Sequence, residues 1–74
     1  MSQYGVVLFH TTSSAMRAEK TLLRQGLVIK MIPTPRQFSS DCGLALRFDW
    51  SQREAASEFL NAANVEIAGI HPCG

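Results

Sequence analysis

The run Pro33-Thr34-Pro35-Arg36-Gln37-Phe38-Ser39-Ser40-Asp41-Cys42-Gly43 follows neither a helical nor a strand period, and it separates two apolar runs, Leu27 to Ile32 and Leu44 to Phe48. Set between two strands, it makes the middle of the chain a long-looped hairpin. The prolines stiffen its entry by holding φ, and Pro33 cannot donate to a ladder, so it ends the strand before it. An irregular stretch of this length in so small a protein is a functional loop or a disordered one.

Working outward toward the N-terminus, Tyr4 to Phe9 is apolar on both alternating faces, Tyr4, Val6 and Leu8 against Gly5, Val7 and Phe9. This predicts a central strand covered on both sides. Thr11, Thr12, Ser13 and Ser14 then offer N-caps, and Gly26 closes the helix that follows. On a helical wheel Ala15, Met16, Ala18, Leu22 and Leu23 share one arc, while Arg17, Lys20, Thr21 and Arg24 occupy the other. Glu19 falls in the middle of the apolar arc. It reads either as a margin residue reaching water or a partner, or as a buried group that orients or accepts a proton near a site.

Toward the C-terminus, Ser51-Gln52-Arg53-Glu54 reads as a capping box with Trp50 at the staple position before it. The helix it opens has the apolar arc Ala55, Ala56, Phe59, Leu60, Ala62 and Ala63, and Asn64 ends it. Val65 to Ile70 is expected to form the last strand, with His71-Pro72-Cys73-Gly74 as a tail. The order β-α-β-β-α-β predicts one α+β domain over residues 1–74: a ferredoxin-like split arrangement, its four-stranded antiparallel sheet carrying two helices on one face.

Composition narrows the function. The 74 residues are 46% hydrophobic and 18% charged, with a formal net charge of +1. That is a small globular domain rather than a disordered chain, and too weakly charged to bind nucleic acid electrostatically. A single-stranded RNA reader on the open sheet would need more exposed aromatic residues than Tyr4, Phe9 and Phe48. No run is long and apolar enough to span a bilayer, and Met1-Ser2-Gln3-Tyr4 lacks a signal-peptide pattern, so the expected location is cytoplasmic. There the two cysteines, Cys42 and Cys73, are expected as free thiols.

The topology assembles a candidate site at one edge of the sheet. Strand one ends there, the first helix begins there around Thr12 to Ala15, and the Pro33 to Gly43 loop returns there. A helix N-terminus within reach of Cys42 favours a thiolate, and Arg36 and His10 are further candidates for stabilising an anion. Asp41, next to Cys42, works against a second negative charge. Gly43 is read as a position that lets backbone approach closely. Other readings stay open at each position. Cys42 can equally be a small buried hydrophobe at the base of the third strand, His10 a strand-end residue bonded locally, and the Pro-Thr-Pro run a rigid turn.

Cys73 is expected at the opposite edge, and without a Cys-x-x-Cys pair it does not make a zinc site with Cys42 and His71. No glycine-rich phosphate loop is present, so neither a metal nor a cofactor is expected. The apolar second face of the first strand still needs cover, for which a homodimer or a protein partner is the simplest remedy.

Leu8-Phe9-His10-Thr11-Thr12, Ala18-Glu19-Lys20, Ile32-Pro33-Thr34-Pro35-Arg36, Ser39-Ser40-Asp41-Cys42-Gly43 and Leu44-Ala45-Leu46, taken in order, resemble the selenium/sulfur carrier-like family over nearly the whole chain. The resemblance implies a carrier or accessory protein rather than an enzyme with turnover of its own, holding a persulfide or selenopersulfide on Cys42. It implies a cysteine desulfurase or selenocysteine lyase as donor and an acceptor enzyme. Glu19, Pro33, Pro35, Arg36, Ser39 and Gly43 match further positions of the family pattern. The Cys-Pro-x-Pro motif of the usual sulfur-transfer carriers is missing. The competing expectation is a ligand-sensing or protein-interaction module of the same fold, which would survive loss of Cys42.

Overall fold

In a computed structural model, residues 3–38 and 42–73 are described. The strands are β1 Tyr4–Leu8, β2 Ile29–Pro33, β3 Leu44–Asp49 and β4 Gly69–Cys73; the helices are α1 Thr12–Arg24 and α2 Arg53–Ala62. The sheet order is β2-β3-β1-β4, and every neighbouring pair is antiparallel. This is the expected α+β, ferredoxin-like arrangement. No helix among the described residues is long and apolar enough to cross a membrane.

Each helix is bounded by local chemistry. Thr11 caps α1, its hydroxyl accepting from Ser14 N–H at 3.1 Å. At the far end Gly26 takes φ +79°, and the N–H groups of Gly26 and Leu27 reach back to the carbonyls of Leu23 and Leu22. That is a Schellman closure, and α2 repeats it: Asn64 at φ 55° donates to Asn61, and Val65 donates to Leu60. The two helices meet where the Arg17 guanidinium donates to the Ala63 carbonyl at 3.3 Å, a cation on the negative end of α2.

Several sequence expectations shift. The capping box does not form; Ser51 donates its N–H and hydroxyl to Asp49 Oδ1, and a 3-10 turn, Trp50–Gln52, precedes α2. The last strand is displaced from Val65–Ile70 to Gly69–Cys73, because Val65 is consumed by closing α2 and the Ala68 N–H goes to the Leu8 carbonyl. The supposed tail is therefore strand. Pro72 is tolerated in it because β4 is an edge. On α1 the buried stripe is only Ala15, Ala18 and Leu22, so Met16 and Leu23 are exposed; on α2 Ala56 and Leu60 are buried while Ala62 is exposed. Both apolar arcs are narrower than the wheel implies: one stripe of each helix meets the sheet, and the flanking apolar residues stay outside that contact.

The principal core lies between helices and sheet, around Val7, Phe9, Leu22, Leu46, Phe48 and Leu60. A second cluster occupies the opposite face of the sheet. There Val6, Leu8 and Ala45 are buried, with Ile32, Phe38 and Cys73 packed against them. Phe38 belongs to the loop, and its ring stacks on His71 with centroids 5.0 Å apart. The cover that this face was expected to take from a homodimer or a partner thus comes in part from the chain itself.

Candidate functional site

Thr34, between the two prolines, closes the neck of the loop. Its N–H donates to the Gly43 carbonyl at 3.0 Å and its hydroxyl to the Cys42 carbonyl at 2.9 Å. Extended backbone enforced by Pro33 and Pro35 aims both donors across the hairpin. Beyond it, Phe38 N–H donates to the Pro35 carbonyl at 3.0 Å, which makes residues 35–38 a turn with Arg36 exposed in it. This turn delivers the Phe38 ring to the open face of the sheet.

At the base of the loop the Cys42 side chain points into the principal core. It is 4% exposed and belongs to the cluster that includes Val7, Phe9 and Ala15. Its sulfur accepts from the Leu44 N–H at 3.4 Å and lies 3.8 Å from the hydroxyl of Thr12, the first residue of α1. The thiol therefore combines the surroundings of a core residue with two polar neighbours able to donate to a sulfur anion.

The structure brings together some of the residues expected at the site and separates others. Thr12 and Cys42 meet through their side chains, and Pro33 pairs with Leu44 beside them. His10 is exposed just before the capped start of α1, and Arg36 is exposed in the loop turn. Glu19 is half-buried on α1 and not enclosed; it lies seven residues past Thr12, about 10 Å along the helix. Gly43 is exposed, and a Cβ there would meet nothing within 4 Å, so the close backbone approach expected of it is absent. Ser39 and Asp41 lie outside the described residues.

Cys73 is separated from Cys42 as expected. It sits opposite Tyr4 at the start of β1, with the second cluster, while Cys42 lies past the end of β1, beyond the Ala45–Leu8 pair. Four residues of strand, about 13 Å, and the sheet itself intervene. Neither cysteine is in a disulfide, and among the described residues no group of three His, Cys, Asp or Glu side chains could hold a metal.

Thr34 and the Phe38–His71 stack were not singled out from sequence. The signals were present: a hydroxyl between two prolines has its backbone direction set for it, and Phe38 is the single aromatic side chain in an otherwise polar loop. Neither signal specifies its partner, which is contributed by residues distant in sequence or across the loop.

No curated protein and no solved structure matches the chain. A family model does: the family described as "Putative Se/S carrier protein-like" matches residues 4–72, from the first residue of β1 to the penultimate residue of β4, and the chain belongs to that family.

Proposed function

We propose that this protein carries sulfur or selenium on Cys42, as a persulfide or selenopersulfide, between a donor and an acceptor enzyme. The observation that supports this reading is the setting of the Cys42 sulfur, between the Leu44 N–H and the Thr12 hydroxyl, in a chain of the carrier-like family. The same two groups that hold the resting thiol are placed to donate to it when it is deprotonated for exchange.

The exchange needs no external oxidant. Cys42 sulfur attacks the outer sulfur of a persulfide on a cysteine desulfurase; the new S–S bond forms as the donor's S–S bond breaks. The donor cysteine leaves as a thiol, taking up the proton that Cys42 gives away. The transferred sulfur keeps its oxidation state throughout. An acceptor thiol then repeats the step on Cys42, and a selenocysteine lyase would supply selenium to the same thiol.

Because Cys42 is buried, the donor reaches it only when the neck at Thr34 parts. Arg36 and His10, both exposed, are proposed to meet the anion in that opened state, while Pro33, Pro35 and Gly43 frame the loop. In this reading the protein is a cytoplasmic carrier without turnover of its own. Intact and peptide mass spectrometry after incubation with a loaded desulfurase, or with a selenocysteine lyase and its substrate, tests it. The expected result is reducible added mass on Cys42, none on Cys73, and none in Cys42→Ser. A loaded donor that leaves Cys42 unmodified overturns the proposal.

A further inference from the structure

The sheet is bounded by two edge strands, β2 and β4, and they are not equivalent. In an antiparallel ladder, opposite residues alternate between bonded pairs and pairs whose N–H and C=O turn away from each other. Thr34 N–H bonds to the Gly43 carbonyl, so back along β2 the Ile32–Ala45 and Lys30–Arg47 pairs are bonded, and Ile29, Met31 and Pro33 turn their backbone groups outward. Counted likewise from the Trp50 N–H on the Gln3 carbonyl, β4 turns Ile70 and Pro72 outward. Proline has no N–H to offer, so the outward donors are Ile29 and Met31 on β2 and Ile70 alone on β4 among the described residues. Adjacent outward donors of this kind are a template for another strand.

The helix above the β2 edge is unpartnered on the same side. α1 packs over β2 and β3, and Arg17 touches α2. At about 100° per residue, Met16 and Leu23 lie on the flank of α1 turned away from Arg17, toward the β2 edge. They are 53% and 54% exposed. Between them in sequence, Glu19 and Lys20 bring one charge of each sign, so two copies of this flank do not repel.

We infer that a second copy of the chain pairs with β2, antiparallel and about a two-fold axis at Met31, giving one continuous sheet with the two α1 helices side by side. The strand is complementary to itself in this register. The Met31 N–H and C=O of each copy bond to those of the other, and each Ile29 N–H meets a Pro33 carbonyl. Every outward donor of β2 thus finds an acceptor, and the proline serves only as an acceptor. Lys30 falls opposite Ile32, whereas an axis one residue earlier would set lysine against lysine. The helices fit the same axis. Paired strands lie about 4.8 Å apart, so helices seated between β2 and β3 stand about 10 Å apart across the axis, the separation of packed helices. Met16 and Leu23 are then shielded from water together with half-buried Ile29 and Met31. This contact lies at the edge of the sheet and leaves the Phe38 side of it open.

The contact is independent of sulfur transfer, and so is its test. Sedimentation of the full chain at about 0.5 mM should give twice the chain mass. In isotope-labelled protein at that concentration, the Ile29 and Met31 amides should exchange with deuterium at least about tenfold more slowly than the Ile70 amide, which faces outward on the other edge. Leu23→Glu and Met16→Glu should each weaken the dimer at least about tenfold and abolish that difference in exchange. Both side chains are exposed, so each variant keeps its fold, which circular dichroism checks. A monomer at about 0.5 mM, a dimer whose Ile29 and Met31 amides exchange as fast as that of Ile70, or a dimer indifferent to both substitutions overturns the inference.

Discussion

The Thr34 hydroxyl donates to the Cys42 carbonyl at 2.9 Å, so the residue between the prolines holds the backbone of the cysteine at the other end of the loop. That bond and the one from the Thr34 N–H to the Gly43 carbonyl together close the neck. Thr34→Val keeps the branched shape and the backbone bond to Gly43 but removes this donor. The expected cost is about 1 kcal/mol of stability, with alkylation of Cys42 accelerated several-fold. Denaturant unfolding and iodoacetamide kinetics read by mass spectrometry check both; an unchanged alkylation rate would show that the neck does not gate the thiol.

Phe38 is the second anchor of the same loop, and it covers Val6, Leu8 and Ala45 while stacking on His71. Phe38→Ala should destabilise by about 2 kcal/mol, through lost apolar burial and lost ring contact, and should raise binding of a hydrophobic dye to the open face. His71→Ala removes only the ring partner and should cost about 1 kcal/mol. Equal stability of Phe38→Ala and the parent would mean that the ring gives the sheet no cover in solution.

Gly5 and Gly43 should respond oppositely to alanine. A Cβ on Gly5 would lie 2.5 Å from Trp50 Cε3 and 2.7 Å from Phe48 Cζ, whereas one on Gly43 meets nothing within 4 Å. Gly5→Ala is expected to cost about 1–3 kcal/mol and to shift Trp50 fluorescence as the ring is displaced. Gly43→Ala should stay within about 0.5 kcal/mol of the parent. Thermal melts with tryptophan emission distinguish the two.

Asp49 gives the fold an acid-side dependence. The Ser51 N–H and, next, its hydroxyl hold the Asp49 carboxyl below its ordinary value of 3.8. A depressed folded-state value stabilises the fold above the unfolded value and ceases to do so as pH falls through the folded one. Asp49→Asn should therefore flatten the fall in unfolding midpoint below about pH 4 and leave its slope near neutrality unchanged. Identical pH profiles for the two proteins would rule out this contribution.

The order of elements and the closure of both helices were legible in the residues because each depends on neighbours. Gly26 and Asn64 mark closures built within a few residues, and Thr11 caps its own helix. Where local signals compete, tertiary contacts decided. Ser51 could cap downstream or donate upstream, and Asp49, brought into register opposite Tyr4, takes it. Val65 to Ile70 alternates as a strand does, yet the closure of α2 uses Val65, and the ladder on β1 begins only at Gly69.

The candidate site divides in the same way. That Cys42 would meet the start of α1 follows from the handedness of the β-α-β crossover, and Thr12 lies there. That the thiol faces the core, that Thr34 holds its carbonyl, and that Phe38 crosses to the other face of the sheet follow from no period in the chain. An eleven-residue loop has no repeat to set the direction of its side chains. The Phe38 ring lies where the helices leave apolar surface uncovered, and on this sheet that surface is Val6, Leu8 and Ala45.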